Sequence, residues 1–153
     1  MVRSRAAGFT IIEILFALTI LAIMATLAAP SFRDFVAGQR IRAASYDVSS
    51  ALMLARSEAV KRNGTVVLSP QGGNWANGWS LVAGTATLAQ HEAFPDLAID
   101  GPSASVTYVS SGRVSAPVTR FAISSTTATT AARRCIRVDL TGMTAAYSGA
   151  GCP

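Results

Sequence analysis

Residues 5–32 read RAAGFTIIEILFALTILAIMATLAAPSF, and their reading decides the fold. The 21 positions 9–29 are uncharged except for Glu13, and about 20 apolar residues are what a helix needs to cross a bilayer. An ionised carboxylate in hydrocarbon is unfavourable by several kcal/mol, so Glu13 demands a reason. Small residues, Ala6, Ala7 and Gly8, stand before the apolar run, whereas an ordinary secretory signal places its small cleavage-site residues after it. A cut at Gly8 would leave the apolar segment on the mature chain. Arg3 and Arg5 hold the short leader on the cytoplasmic side while the carboxyl-side chain crosses.

Beyond Pro30 the pattern stays helical. Ile41, Ala44, Val48, Leu52, Ala55 and Ala59 step by three or four residues and form one apolar stripe, while Arg40, Arg42, Asp47, Arg56 and Lys61 fall largely elsewhere. Asn63 and Gly64 form a stop signal, preceded by Lys61 and Arg62 where cations suit a helix C-terminus. The spacing predicts one helix over residues 9–63, with a kink at Pro30, which crowds the carbonyl of Thr26, and a second weak point at Gly38. After Gly64 the apolar period changes to two. Candidate strands are 65–69, 79–83, 106–109, 120–124, 134–140 and 143–147, broken by turn residues at 71–74, 77–78, 111–112 and 141–142. A long helix followed by short strands predicts an α+β chain with an antiparallel sheet packed on the helix, and the small polar run 125–132 reads as a loop.

Of the 153 residues, half are apolar and 14% charged, but much of the apolar excess precedes Pro30. About 120 residues remain for one modest core. Without Arg3 and Arg5, 11 basic side chains face 8 acidic ones, a mild excess that points only weakly to an anionic partner.

The segment Gly8-Phe9-Thr10-Ile11-Ile12-Glu13, followed by an apolar helix and Pro30, resembles the class III signal of type IV pilins and type II secretion pseudopilins. The resemblance implies a membrane aspartyl peptidase that cuts after Gly8 and methylates the new N-terminus at Phe9. It also implies that Glu13 serves assembly by neutralising the N-terminal amine of a neighbouring subunit, since a buried carboxylate is tolerated when paired with an ammonium group. Pairing of Glu13 with its own chain's amine at i−4, or snorkelling to the headgroups, stays open, as does a plain signal anchor over residues 1–29. The run 52–62, LMLARSEAVKR, and then NWANGWSLV at 74–82 are similar to the GspH/FimT group of minor pilins and pseudopilins. The fold so implied is pilin-like: residues 1–8 a leader, 9–29 a transmembrane helix segment, 30–63 its amphipathic continuation, and 64–153 a β-rich head. Trp75 and Trp79 read as aromatic packing at a turn and strand edge.

No zinc motif, phosphate loop, nucleophile elbow or dinucleotide fingerprint accompanies the single histidine, His91, which reads as a surface-loop residue beside Glu92. Asp96 and Asp100 look like turn formers beside Pro95 and Pro102. The expectation is a non-enzyme without cofactor or metal. In RRCIRVDL, residues 133–140, alternation places Ile136, Val138 and Leu140 toward the core and Cys135 outward. The only other cysteine is Cys152, and an even pair outside the cytoplasm favours a disulfide, as in minor pilins of the FimU kind; two unpaired thiols are the alternative. Arg133, Arg134 and Arg137, with Arg113 and Arg120 on possible neighbouring strands, are candidate phosphate contacts. The leading expectation is a minor type IV pilin acting in pilus initiation or at the tip. Its partners would be other major and minor pilins or pseudopilins, the prepilin peptidase and the inner membrane, with a periplasmic head before assembly. A type II secretion pseudopilin of the GspH kind is the second reading, and a DNA-binding minor pilin in DNA uptake the third. Against the third, DNA-binding members carry Gly-Arg-x-Arg near the C-terminus, and the corresponding turn here is Gly142-Met143-Thr144-Ala145.

Overall fold

The computed structural model describes residues 9–116, 120–128 and 131–149. One helix, α1 (Ile11–Lys61), is followed by β1 (Val66–Pro70), β2 (Trp79–Ala83), β3 (Ala86–His91), β4 (Leu97–Asp100), β5 (Val106–Tyr108), β6 (Arg120–Ser125), β7 (Arg134–Val138) and β8 (Thr144–Ser148). With 51 residues, α1 is about 77 Å long. It passes through Pro30 without interruption.

Both ends of α1 are written in its sequence. At the C-terminus Arg62 caps the helix and Asn63 takes the left-handed conformation, φ 48°. The Asn63 N–H bonds the Val60 carbonyl (3.2 Å) and the Gly64 N–H bonds that of Ala59 (3.0 Å). This is a Schellman closure with asparagine at the left-handed position, so Gly64 supplies only the final donor. Arg62 also holds Glu58 one turn back (2.6 Å).

The apolar stripe behaves as its spacing predicts: Ile41, Ala44, Val48, Leu52, Ala55 and Ala59 are all buried. The three alanines keep the helix surface low, which brings strands close to its backbone. Strands of both sheets reach α1. Against it pack Val66 and Leu68 of β1, Leu81 of β2, Tyr108 of β5, Phe121 and Ile123 of β6, and Ile136 and Val138 of β7, in one continuous core.

The strands form two antiparallel sheets of four, ordered β3-β2-β1-β5 and β4-β6-β7-β8, where one sheet was expected. Two of the strands, β3 and β4, both at sheet edges, lie outside the candidate strands read from the sequence. β3 reads ATLAQH, lacks Val, Ile and aromatics, and is a largely exposed edge strand, so neither propensity nor a buried face marks it. It exists because β2 offers an open edge and the chain folds straight back after the two residues 84–85, Ala83 facing Ala86. β4, LAID, does alternate, with Leu97 and Ile99 buried. Asp96 lies before it at φ 61° and Asp100 inside it, opposite Ala122, so only Asp96 is a turn residue.

Two expectations at β7 are corrected. Leu140 is 47% exposed, because β7 ends at Val138 and the chain turns at Asp139, whose N–H bonds the Met143 carbonyl (3.0 Å). Cys135 does lie on the face opposite Ile136, but it is fully buried: β7 is an inner strand, and Cys135 sits between Ala122 of β6 and Tyr147 of β8. A small side chain flanked on both sides is covered even on the outer face of a sheet.

Tyr108 is fully buried, and its hydroxyl has no hydrogen-bond partner among the described residues. Burial pushes its pKa up from 10.0 to about 12; the Arg56 guanidinium opposes this and the Asp139 carboxylate adds to it. The folded state therefore favours the neutral phenol. The resulting stability is complete below pH 10 and is lost as pH rises from 10 toward 12. Tyr108→Phe should melt within about 1 kcal/mol of the parent at pH 7, since it deletes an unpaired polar atom. The variant should also lose less stability than the parent between pH 10 and 12, as read by thermal melting; parallel losses would contradict the assignment.

Candidate functional site

The amino-terminal end of α1 carries a reciprocal cap. The Thr10 hydroxyl accepts from the Glu13 N–H (3.3 Å), and a Glu13 carboxylate oxygen accepts from the Thr10 N–H (3.5 Å). A Thr-x-x-Glu spacing before an apolar run is the sequence signature of this box, so Thr10 was legible beside Glu13. The carboxylate therefore has a local use before any neighbour arrives, and it also complements the positive end of the helix dipole. Phe9 is exposed; Gly8 lies outside the described residues.

Every residue from 9 to 33 is exposed, including Ile11, Ile12, Phe16, Leu21 and Leu27. Glu13 borders a shallow concavity of about 370 Å³ with Phe9, Ile14, Ala17, Leu18 and Leu21. An uncharged helix face this long is stable only in lipid or against other apolar helices. Glu13 is the one ionisable group in residues 9–32.

The arginines are only partly brought together. β6 and β7 pair with Arg120 directly opposite Arg137, and alternation places both on the outer face that Cys135 shares. Arg133 precedes the strand, Arg134 falls on the other face, and Arg113 belongs to the turn after β5 in the other sheet. Among the described residues none of these arginines has an ion-pair partner. Asp139 stands near Arg137; the Thr141 hydroxyl bonded to it, then the N–H groups of Met143 and Thr141 and the charge of Arg137, hold its carboxyl below the usual range.

His91 is not a loop residue. It ends β3, lies stacked on Phe94 (ring centroids 4.2 Å apart) and beside Trp79 (5.8 Å), and its Nδ1 is 2.6 Å from the Glu92 carbonyl oxygen. Its Nε2 is 3.6 Å from an Asp47 oxygen on α1. Trp75 is buried edge-on to Phe121 (4.8 Å), and its indole N–H bonds the Pro102 carbonyl (2.8 Å). Trp75, Trp79, Phe94 and Phe121 belong to the core of the head. Cys135 is disulfide-bonded; Cys152 lies outside the described residues.

The family model described as type II transport protein GspH matches residues 44–142, the greater part of the chain. The chain belongs to the GspH family. A second model, the prokaryotic N-terminal methylation motif, matches residues 3–29 of this GspH-family chain. Solved structures with a similar fold include the type IV minor pilin FimU of Pseudomonas aeruginosa, 20% identical with a TM-score of 0.63, covering 78% of this chain and 99% of that one. A second crystal form of FimU gives 22% identity and a TM-score of 0.61, over 73% of this chain and 99% of that one. The minor pseudopilin EpsH from the type 2 secretion system of Vibrio cholerae is 13% identical with a TM-score of 0.59, over 71% and 97%. At these identities the likeness is one of fold. No curated protein matches significantly. Membership of the GspH family makes the chain one of the minor pilins and pseudopilins, whose fold is a long apolar helix packed on antiparallel sheets.

Proposed function

We propose that this GspH-family chain is a minor type IV pilin, a structural subunit that takes part in pilus initiation or tip assembly. The observation that supports the reading is that residues 9–29, at the capped start of α1, are wholly exposed and uncharged but for Glu13, and lie in the stretch that the methylation motif matches. In this reading residues 1–8 are removed by the prepilin peptidase, residues 9–29 cross the inner membrane, and the head waits on the periplasmic side. On entry into the fibre the Glu13 carboxylate exchanges its bond to the Thr10 N–H for the N-methylated amine of a neighbouring Phe9.

A disulfide favours the pilus over the secretion system, and Cys135 takes part in one. Its proposed partner is Cys152, closing a loop of 16 intervening residues worth about 3 kcal/mol in the chain-entropy model. Non-reducing peptide mapping should recover the 135–152 cross-link; two alkylatable thiols would refute it. The experiment that tests the function is a chromosomal deletion. Loss of surface pili and twitching with normal exoprotein release is the expected phenotype, while blocked release with intact pili would make the chain a type II secretion pseudopilin.

The facing pair Arg120 and Arg137, with Arg133 at the strand entrance, supports a second reading in which the head contacts DNA phosphates. The other arginines lie elsewhere, and residues 142–145, which lead from a turn into β8, lack the family's arginines. A gel shift of detergent-solubilised full-length protein on duplex DNA should show binding at low salt that disappears at physiological salt. Retention at physiological salt that is lost on changing Arg120 and Arg137 to Ala would establish DNA as a principal partner.

A further inference from the structure

Where α1 enters the head, its first exposed cation stands in a pocket. Between Glu13 and Arg33 no residue is charged, and Arg33 lies four residues past Ala29, about 6 Å along the helix. A bilayer's polar headgroup layer is about 5–8 Å thick on each side of the hydrocarbon. A helix that crosses with residues 9–29 therefore puts Arg33 at the depth of the lipid phosphates. Phe32 (67% exposed) and Phe35 (62% exposed) flank it at the level where aromatic side chains settle in the interface.

At this level the head comes down to meet the helix. Phe32, Arg33, Val36, Ala37 and Arg40 of α1 and Asp96, Ser125 and Thr127 at the lower edge of the second sheet enclose about 370 Å³. Arg40 is held by Asp96. Arg33 has no hydrogen-bonded or ionic partner among the described residues. Asp34 is next in sequence, but it does not line the pocket and has an interaction of its own. The hydroxyls of Ser125 and Thr127 are the uncharged polar groups on the opposite wall. The Ser125 and Thr127 hydroxyls lie 3.3 Å apart, and Ser125 Oγ accepts from the N–H groups of Thr127 (3.2 Å) and Ala128 (3.1 Å), so the site pairs the Arg33 guanidinium with one linked hydroxyl pair, beside apolar Phe32 and Val36. That is the complement of a phosphodiester with an acyl chain leading away from it.

We propose that this pocket holds the phosphodiester headgroup of an anionic membrane phospholipid, with Arg33 on the phosphate. The lipid would tether the head to the membrane surface until the subunit is drawn into a fibre. The proposal rests on the membrane-spanning reading of residues 9–29, and its test separates the two. Full-length protein is reconstituted into vesicles of phosphatidylcholine alone or with 30% phosphatidylglycerol, recovered by flotation, extracted into mild detergent and weighed by native mass spectrometry for retained lipid. The wild-type chain should float with both vesicles and retain phosphatidylglycerol in preference to phosphatidylcholine. Arg33→Gln should float equally well and retain about fivefold less phosphatidylglycerol, whereas Arg42→Gln, outside the pocket, should match the parent. Flotation with no headgroup preference, or equal retention by Arg33→Gln and Arg42→Gln, would overturn the lipid site and leave the membrane reading standing. Failure of the parent to float would overturn both. Inorganic phosphate that displaces the lipid at millimolar concentration would show a phosphate site and overturn the lipid assignment.

Discussion

Gly8→Val should leave residues 1–8 on essentially every molecule, and intact-mass measurement of membrane protein should read the uncut chain in place of the proposed one that begins at N-methyl-Phe9. The proposed peptidase subsite admits no side chain, and a β-branched residue also stiffens the backbone that must extend into the active site. The loss reaches further than the leader. An uncut chain has an amide at Phe9 in place of an amine, so it offers no ammonium group to a neighbour's Glu13, and it keeps Arg3 and Arg5 on the cytoplasmic side. Such a subunit should stay in the membrane and be absent from sheared fibres. Normal cutting of Gly8→Val would remove the processing assignment.

Substitutions at Glu13 separate charge from capping. Glu13→Val removes both the charge and the bond to the Thr10 N–H, whereas Glu13→Gln removes the charge and retains an acceptor for the cap. Both variants should be cut normally and both should fail to enter fibres, because the neighbour's amine needs an anion. Full recruitment of the glutamine variant would reduce Glu13 to a helix cap.

Gly78→Ala should destabilise the head by about 4 kcal/mol and lower the melting temperature of the detergent-solubilised chain by on the order of 10 °C. Gly78 has φ 102°, ψ −176°, a region open essentially to glycine. A Cβ built there would stand 2.2 Å from the His91 carbonyl oxygen and 2.8 Å from the Glu92 carbonyl carbon and oxygen, all backbone atoms of the neighbouring strand end. Relief requires β3 to part from β2 at the Trp79–His91 pair, which also unseats the His91–Phe94 stack and the bond from the Phe94 N–H to the Ala76 carbonyl (2.8 Å). Gly73→Ala is the control: φ is 76° there, but nothing lies within 4 Å of the new methyl group. It should cost about 1 kcal/mol from backbone strain alone. Equal losses at the two positions would show that the close approach to His91 does not matter.

Much of this protein is legible in its sequence. The apolar run 9–29, the small residues ahead of it and Glu13 inside it are local facts, and the helix stripe from Ile41 to Ala59 follows from a period that no other element shares. The Thr10 cap and the Asn63 stop are local too, because each is closed by bonds within four or five residues. What the tertiary structure alone decided are the features set by neighbours distant in sequence. β3 is a strand because β2 has an open edge, and Cys135 is buried because β6 and β8 flank it. His91 packs because Trp79 and Phe94 arrive beside it, and the arginines of residues 133–137 divide between two faces while Arg120 joins Arg137 from another strand. Arg33 is one cation among many in the sequence, and only the descent of Asp96, Ser125 and Thr127 onto α1 makes a pocket around it. A helix closes its hydrogen bonds within the segment, so its sequence suffices; a strand's bonds and outer-face cover come from elsewhere in the chain, so pattern alone cannot place them.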